Sequence, residues 1–408
     1  MDRRTLLKGS AASAGLAGLA ALPSVPAQAQ SAPDKLRFGY AITQSGPLGP
    51  GAESTVVSQY KLWHKRVNDA GGITLKKFNK KVPVDMIGYD DQGKPDELIK
   101  LTQRLIEQDK VDMLLSPYAT HMNLASASLS TKTGYPVIYT TATTTKSYAL
   151  SKTHKNAFWQ IVQPVEATTP LTDYLARLKK EGKIKGTVGV VHPTVEYGVE
   201  MHEAFVNAAK KAGLNVVVTK TYPFGASDLQ PVVREVMGAN PDAFVCMSYP
   251  PDTFMLTEQA KIVGFNPQFM YVAIGGVFPT YQSKFGKNAE GILTYGGQDE
   301  SVPGYAEYDK AHRAMFNRPS EAGAVSVYAA LESTQQAIES VGSIDRPKIR
   351  DALASMTFKT LWGDYKYVDQ RCSSPWAVGQ WQNGKMVGVA PADKKGAKPI
   401  VFPKPKWS

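Results

Sequence analysis

A dense run of hydroxyl side chains, Tyr139 to Thr145, follows a short apolar segment that is typical of a strand. A further hydroxyl, on Thr120, stands where the sequence predicts the start of a helix. Backbone amides and hydroxyls that converge at a helix N-terminus bind anions, and each hydrogen bond to a charged group contributes about 1.5–3 kcal/mol. The two features therefore predict a site for a carboxylate. The alternative is that the threonines only cap helices and fill the edge of a sheet.

The same sequence offers no arrangement of reactive groups for catalysis. It contains neither the HExxH pattern of zinc proteases nor the GxSxG pattern of serine hydrolases. The loop from Gly46 to Gly51 is similar to a phosphate-binding loop, but it lacks the GxGxxG order, and its two prolines remove amide donors. The six histidines are scattered, and no two have metal-ligand spacing: His64, His121, His154, His192, His202 and His312. We therefore predict a protein that is not an enzyme and has no metal or nucleotide cofactor.

The composition is typical of a globular protein with a hydrophobic core. Hydrophobic residues make up 43% and charged residues 20% of the 408 residues, which excludes a disordered chain. A chain of this length predicts two domains. The formal net charge is +11, but the lysines fall in short separate clusters without an arginine-rich helix or an RNA-binding aromatic motif. We therefore expect no nucleic-acid partner.

The first 29 residues are typical of an export signal. Arg3 and Arg4 lie in a charged opening segment, an apolar stretch from Ala11 to Leu22 follows, and Ala27-Gln28-Ala29 supplies a small-x-small cleavage pattern. The paired arginines indicate a twin-arginine signal, with an ordinary secretory signal as the alternative. No cysteine lies near the cleavage pattern, so we expect a soluble periplasmic protein without a lipid anchor.

The elements that must position the hydroxyl groups alternate between strands and helices. The first run has strand patterns at 35–41, 82–86, 111–115 and 137–139, with helical patterns at 56–67, 95–106 and 123–131. The second run has strand patterns at 187–191, 216–219, 243–247 and 269–273, with helical patterns at 197–212, 228–237 and 254–263. Such alternation predicts two parallel sheets, each covered by helices on both faces. A largely helical stretch follows, and Asn383-Gly384 then predicts a hairpin turn.

Several short motifs stand at the ends of these elements. They are Ser45-Gly46-Pro47-Leu48, Asn68-Asp69-Ala70-Gly71-Gly72-Ile73, Tyr89-Asp90-Asp91, Thr143-Thr144-Thr145, Glu196-Tyr197-Gly198, Gly264-Phe265 and Ala289-Glu290-Gly291. In this order and behind an export signal, they resemble the periplasmic solute-binding proteins of branched-chain amino acid ABC transporters, the Leu/Ile/Val-binding family of type I fold. The resemblance covers about residues 35–385.

The resemblance implies an α/β fold of two doubly wound parallel-sheet lobes, joined by a hinge of three crossovers, with the ligand between the lobes. We place the crossovers near residues 160–164, 295–298 and 357–361. Lobe I then comprises residues 34–160 and 298–357, and lobe II comprises residues 161–297 and 358–408. The resemblance also implies a monomer that closes on its ligand and docks on an inner-membrane ABC permease. The alternative is a sensor that reports the bound ligand to a membrane receptor.

The resemblance also assigns the residues of the pocket. In the resembling family, the ligand carboxylate is held by a hydroxyl early in the helix after the third strand and by groups after the fourth strand. These positions fall on Thr120, Thr141 and Thr143. A lobe II aromatic residue that closes over the ligand matches Tyr197, with packing in the core as the alternative role for this ring. The expected set of ligand-binding residues is completed by Tyr118, His121, Tyr249 and Ala273.

One position departs from the family's pattern. The family holds the ligand's ammonium with a glutamate just beyond the strand that ends near Ala273, but no Asp or Glu occurs from Gln259 through Ala289. A buried ammonium without a counter-charge costs several kcal/mol. We therefore predict a small carboxylate ligand without an α-amine, for which aromatic or aliphatic acids fit best. The alternative is an α-amino acid whose ammonium pairs with another acid, such as Asp252.

Overall fold

The computed structural model describes residues 31–297, 299–373 and 375–408, so the predicted export signal lies outside the described residues. The strands are β1 (Leu36–Ile42), β2 (Ile73–Leu75), β3 (Lys80–Val82), β4 (Val84–Asp90), β5 (Met113–Leu114), β6 (Val137–Tyr139), β7 (Ala157–Gln160), β8 (Thr187–Pro193), β9 (Asn215–Tyr222), β10 (Ala243–Cys246), β11 (Phe269–Val272), β12 (Leu293–Tyr295), β13 (Phe358–Thr360), β14 (Gly363–Tyr365), β15 (Arg371–Cys372), β16 (Val378–Gln382) and β17 (Lys385–Ala390).

The helices fall between these strands, as the sequence predicted. They are α1 (Gly49–Ala52), α2 (Ser58–Asp69), α3 (Pro95–Glu107), α4 (Thr120–Thr133), α5 (Ser147–Thr153), α6 (Pro164–Lys180), α7 (Glu196–Lys211), α8 (Gln230–Gly238), α9 (Pro250–Ile262), α10 (Pro279–Phe285), α11 (Tyr305–Phe316), α12 (Ala322–Val341) and α13 (Arg346–Ser355). A π-helical turn, Glu53–Val57, joins α1 to α2.

The first half of the molecule is built on two small parallel sheets. β1 lies between β4 and β5, and β7 lies between β6 and β15. All four side chains of β7 are buried, as expected for a parallel strand that is covered on both faces. Phe38 of β1 packs against Trp63 of α2, with ring centroids 5.4 Å apart, so helix and sheet share one core.

The second half is built on one seven-stranded sheet, in the order β17-β16-β12-β11-β10-β8-β9. The strands from β8 to β12 pair in parallel, whereas β16 and β17 extend the sheet as an antiparallel hairpin. Its turn is the predicted Asn383-Gly384 pair, and both residues have the positive φ that such a turn requires. The prediction of an α/β fold with two doubly wound, mainly parallel halves is confirmed.

The structure moves one of the predicted lobe boundaries. The sequence assigned residues 358–408 to the second lobe, but β15 pairs with β7 of the first half, and Tyr365 of β14 donates a hydrogen bond of 2.9 Å to Gln160 Oε1. Phe358 is fully buried in the core that contains Phe38. Strand pairing therefore places residues 358–373 with the first half, because the hairpin β13–β14 buries its aromatic rings there before the chain enters β16.

Among the described residues, no helix combines the length and the apolar character that crossing a bilayer requires. The long helix α12 is instead buried along much of its length within the first half.

Gly72 occupies a backbone position that only glycine tolerates. Its φ is +102°, and a Cβ at this residue would lie 2.2 Å from the carbonyl oxygen of Val82. We expect Gly72→Ala to lower the free energy of unfolding by about 3 kcal/mol, because strain and a backbone clash act together. Gly182 provides the control, since its φ is +70° but a Cβ there meets open space. Gly182→Ala should cost about 1 kcal/mol, and equal losses in a urea titration of both variants would contradict this account.

Candidate functional site

A cavity of about 60 Å³ lies between the two halves. Its walls come from the loops that follow β1, β5, β6 and β7 in the first half and β10, β11 and β12 in the second, together with the start of α12. The residues that line it include Thr55, Tyr118, Thr141, Ile161, Tyr249, Ile274, Val277, Phe278 and Glu321. Loops at the carboxyl ends of parallel strands are the usual location of ligand sites in doubly wound folds.

The predicted helix start at Thr120 is the point where α4 begins. The preceding residue, Ala119, has φ of 80° and ψ of 147°, a conformation that is uncommon for a residue other than glycine and that concentrates at binding sites. Thr120 is buried, and its amide and hydroxyl face the phenol of Tyr249 without forming a hydrogen bond to it. An amide, a hydroxyl and a phenol therefore meet at one point, and all three can donate a hydrogen bond to an anion.

Two of the predicted threonines are engaged by the protein itself. Thr141 lines the cavity, but its hydroxyl donates to the carbonyl of Pro117 at 3.2 Å and accepts from the Asn123 amide at 2.9 Å. It also accepts from the Ala119 amide, so its hydrogen-bonding capacity is used up. The Thr143 hydroxyl is buried against the Tyr295 phenol at 2.8 Å. Both hydroxyls shape the site, and neither is free to bind a carboxylate in this structure.

Three buried phenols, those of Tyr118, Tyr197 and Tyr249, have no hydrogen-bond partner within the described residues. Tyr118 and Tyr249 line the cavity, and the Tyr197 ring packs against the Tyr249 ring with centroids 4.9 Å apart. Burial raises the pKa of each phenol, so all three stay protonated and can donate. A buried polar group without a partner costs about 1–3 kcal/mol, and this concentration of unused donors marks the cavity as a site for a ligand with acceptor oxygens.

His121 and Ala273 lie beside the cavity and do not line it. His121 is half-buried, and burial lowers the pKa of its imidazole, which favours the neutral ring. The negative charge of Glu196 opposes this shift. Ala273 is buried, and its carbonyl accepts a hydrogen bond of 2.8 Å from the Thr294 hydroxyl, while the next residue, Ile274, presents an apolar wall. In the part of the chain that the structure describes, no cluster of His, Cys, Asp and Glu side chains could hold a metal ion.

The sequence suggested Asp252 as the acid that could pair with an ammonium, but Asp252 does not line the cavity. Asp252 lies in the first turn of α9, where burial raises its pKa to about 6 and its nearest polar side chain is the phenol of Tyr222, 3.4 Å away. The acid in the cavity is Glu321, which the sequence reasoning missed. Glu321 stands just before the start of α12, and no local pattern in the sequence indicated that this helix end faces the cavity.

The remaining threonines of the run join the two halves. The carboxylate of Glu200, on α7 of the second half, accepts hydrogen bonds of 2.6 Å from the Thr144 hydroxyl and from both the amide and the hydroxyl of Thr145. Lys146 and Glu196 form an ion pair next to these bonds. Glu200 is only 8% exposed, so the three hydrogen bonds are largely shielded from water. We name Glu200, Thr144 and Thr145 the closure contact.

Comparison with known proteins finds similar proteins that are binding proteins. Residues 35–385 match the family model described as periplasmic binding protein. A Leu/Ile/Val-binding protein homologue of Brucella melitensis is 22% identical, over 89% of this chain and 92% of its own length. The isoleucine complex of LivJ from Streptococcus pneumoniae is 20% identical, with a TM-score of 0.74 over 86% of this chain and 97% of that one.

A third similar protein is an ABC transporter solute-binding protein of R. palustris in complex with benzoate. It is 19% identical, with a TM-score of 0.76 over 90% of this chain and 99% of its own. These likenesses confirm the fold, and the family match supports the prediction of a binding protein rather than an enzyme. Because the family model spans most of the sequence, the chain belongs to the periplasmic binding protein family.

Proposed function

We propose that the protein captures a small carboxylate between its two halves and delivers it to an inner-membrane ABC permease. The observation that carries this proposal is the pair of buried phenols in the cavity, Tyr118 and Tyr249, which have no hydrogen-bond partner within the described residues, with the amide and hydroxyl of Thr120 next to Tyr249. A carboxylate offers about four lone pairs to such donors. The solved relatives bound to isoleucine and to benzoate both hold a ligand that carries a carboxylate.

We further propose that this ligand has no α-amine. The sequence has no Asp or Glu from Gln259 through Ala289, and the loop after β11 contributes apolar side chains to the cavity, those of Ile274, Val277 and Phe278. Asp252, the alternative partner for an ammonium, points to Tyr222 outside the cavity lining. An aromatic or aliphatic acid would bury its apolar body against these side chains, at about 25 cal/mol for each Å² removed from water.

Isothermal titration calorimetry on protein freed of co-purified ligand tests the proposal. The panel contains benzoate, 3-phenylpropanoate and 4-methylpentanoate, with phenylalanine and leucine as the amine-bearing counterparts of the last two. We expect the acids without an amine to bind at least tenfold more tightly than their counterparts. Benzamide, which has the same ring without the charge, is the control and should not bind measurably. Absence of binding for every acid would overturn the proposed function.

Tyr249→Phe is expected to have opposite effects on binding and on stability. The change keeps the ring against Tyr197 and removes the donor that faces Thr120, so carboxylate affinity should fall about tenfold, or 1.4 kcal/mol. The ligand-free protein should gain about 1 kcal/mol in its free energy of unfolding, because a buried hydroxyl without a partner disappears.

Tyr281→Phe is the matched control for this experiment. Its phenol is equally buried but shares a hydrogen bond of 2.9 Å with Thr257, away from the cavity. The control should lose about 1 kcal/mol of stability and keep its affinity. A Tyr249→Phe variant that is destabilised like the control, with unchanged affinity, would assign Tyr249 to the core alone.

A second candidate function is the binding of an α-amino acid. It is favoured by one observation, the carboxyl group of Glu321 in the cavity, which could pair with an ammonium. The relatives named for leucine, isoleucine and valine agree with this candidate. Tighter binding of leucine than of 4-methylpentanoate in the calorimetric panel would establish it.

A further inference from the structure

Glu321 places an unused acceptor in a cavity that otherwise presents donors and apolar walls. The residue is 1% exposed and precedes the first turn of α12. Its Oε2 accepts a hydrogen bond of 2.6 Å from the Gly323 amide, which caps the helix. Its Oε1 is buried and has no hydrogen-bond partner in residues 31–297, 299–373 and 375–408. Capping therefore accounts for one oxygen, and the other is available to a ligand.

Among residues 31–297, 299–373 and 375–408, no lysine or arginine forms an ion pair with this carboxyl group. The positive charge of Arg318 acts on it, but the guanidinium Nη1 of Arg318 donates to the Ser54 hydroxyl at 3.1 Å. Burial raises the pKa of Glu321 to about 7, opposed by the hydrogen bond from the Gly323 amide and by the neighbouring Thr55 hydroxyl, which does not bond to Oε1. The side chain is thus poised between its ionised and neutral forms near neutral pH, and either form can accept a hydrogen bond at Oε1.

The polar groups of the cavity are of two kinds. The phenols of Tyr118 and Tyr249 line it and have no hydrogen-bond partner within the described residues, so both can donate to a carboxylate. Glu321 Oε1 belongs to the same lining and can accept a hydrogen bond from another group of the ligand. Apolar side chains such as Ile161 line the space around them.

We propose that the ligand carries a hydroxyl group in addition to its carboxylate, and that this hydroxyl donates a hydrogen bond to Oε1 of Glu321. The inference rests on the proposed function and narrows the ligand class to hydroxylated carboxylic acids. An α-amino acid fits Oε1 less well than a hydroxy acid does. An ammonium brings three donors and requires the ionised form of Glu321, whereas a hydroxyl brings one and is accepted by either form.

Matched ligands test this inference on the wild-type protein. Each set contains a parent acid, its hydroxyl derivative and its methoxy derivative: benzoate with 3- and 4-substituted forms, and 3-phenylpropanoate with its 4-substituted forms. The methoxy group has the oxygen but no hydrogen to donate. We expect at least one hydroxy acid to bind ten times or more tightly than both its parent and its methoxy analogue, as measured by calorimetry.

The variant Glu321→Gln tests whether Glu321 is the residue that accepts the hydrogen bond from the ligand hydroxyl. Glutamine keeps an oxygen for the Gly323 amide and turns its NH₂ group toward the cavity, where it can donate to an ether oxygen. The preference for hydroxyl over methoxy should therefore shrink to less than threefold. Glu332→Gln is the control, because Glu332 is a half-buried acid on the same helix that accepts from the Leu361 amide at 2.8 Å and does not line the cavity. This control should keep the tenfold preference.

The outcomes separate the inference from the function on which it rests. Failure of all acids to bind overturns the proposed function. Binding of parent, hydroxy and methoxy acids with equal affinity overturns the inference and leaves carboxylate capture intact. Tighter binding of an α-amino acid than of any hydroxy acid also overturns it, and it assigns Glu321 to an ammonium. If Glu321→Gln does not fold, the comparison of hydroxy with methoxy acids on the wild-type protein still decides the matter.

Discussion

Replacing Glu200 by alanine is expected to weaken ligand binding about 100-fold, although Glu200 does not line the cavity. The residue belongs to the closure contact, where its carboxylate accepts three hydrogen bonds of 2.6 Å from Thr144 and Thr145 across the two halves. Separation of the halves would break these bonds and let water replace them. We therefore expect the closure contact to stabilise the closed form over the open one, and the affinity for a ligand held by both halves to depend on that preference.

The size of the effect follows from the population of the closed form. Each hydrogen bond to a charged group contributes about 1.5–3 kcal/mol when it is shielded from water. Solvation of the separated groups returns part of this sum, so a net loss of about 3 kcal/mol is a reasonable expectation for three bonds. If the closed form becomes rarer by that amount, the apparent affinity falls by about 100-fold, since 1.4 kcal/mol corresponds to a factor of ten.

Calorimetry measures the ligand affinity, and small-angle X-ray scattering on the same samples measures the radius of gyration, which reports separation of the two halves. Glu200→Ala should show the weaker affinity together with a larger radius of gyration at sub-saturating ligand. Glu203→Ala is the control, because Glu203 is an exposed acid one turn along α7 and its removal leaves the closure contact intact. An affinity within threefold of wild type for Glu200→Ala would show that the contact does not govern closure.

Much of the fold could be predicted because the signals for it are local. Alternating apolar patterns gave the order of strands and helices, and the helix start at Thr120 and the Asn383-Gly384 turn were visible in a few residues each. The position of residues 358–373 could not be predicted in this way. Their place depends on a parallel pairing between β15 and β7, which are about 200 residues apart in sequence.

The site was predicted less completely because hydroxyl groups change roles with their partners. The threonine run was placed correctly at the end of β6, and Thr141 does line the cavity. The hydroxyl of Thr141 is nevertheless taken by Asn123, and those of Thr144 and Thr145 by Glu200, partners that no local pattern reveals. Glu321 was missed for the same reason, since its neighbours in the cavity outside its own helix come from segments about 25–270 residues away in sequence.

The stability of the ligand-free protein should fall as pH rises through neutrality, and Glu321 should account for much of the change. Its pKa is 4.5 in the reference state and about 7 in the folded protein, raised chiefly by burial. Between these values the folded state holds a proton that the unfolded state has released. The free energy of unfolding therefore decreases with increasing pH across this window, and above pH 7 the buried carboxylate is ionised at its full cost.

Glu321→Gln removes this titration and keeps the cap on Gly323. At pH 8 the variant should exceed the wild type in free energy of unfolding by up to about 3 kcal/mol, given about 1.4 kcal/mol for each pH unit of a raised pKa, whereas at pH 4.5 the two should agree. Urea titrations across this range measure the difference, with the exposed Glu203→Gln as a variant that should follow the wild-type curve. The Glu321→Gln variant should still show a shallower decline with pH, because burial also raises the pKa of Asp252 to about 6 and of Glu332 to about 7. Parallel curves for wild type and Glu321→Gln would mean that the carboxyl group is ionised without penalty, and that its environment in the cavity is polar rather than apolar.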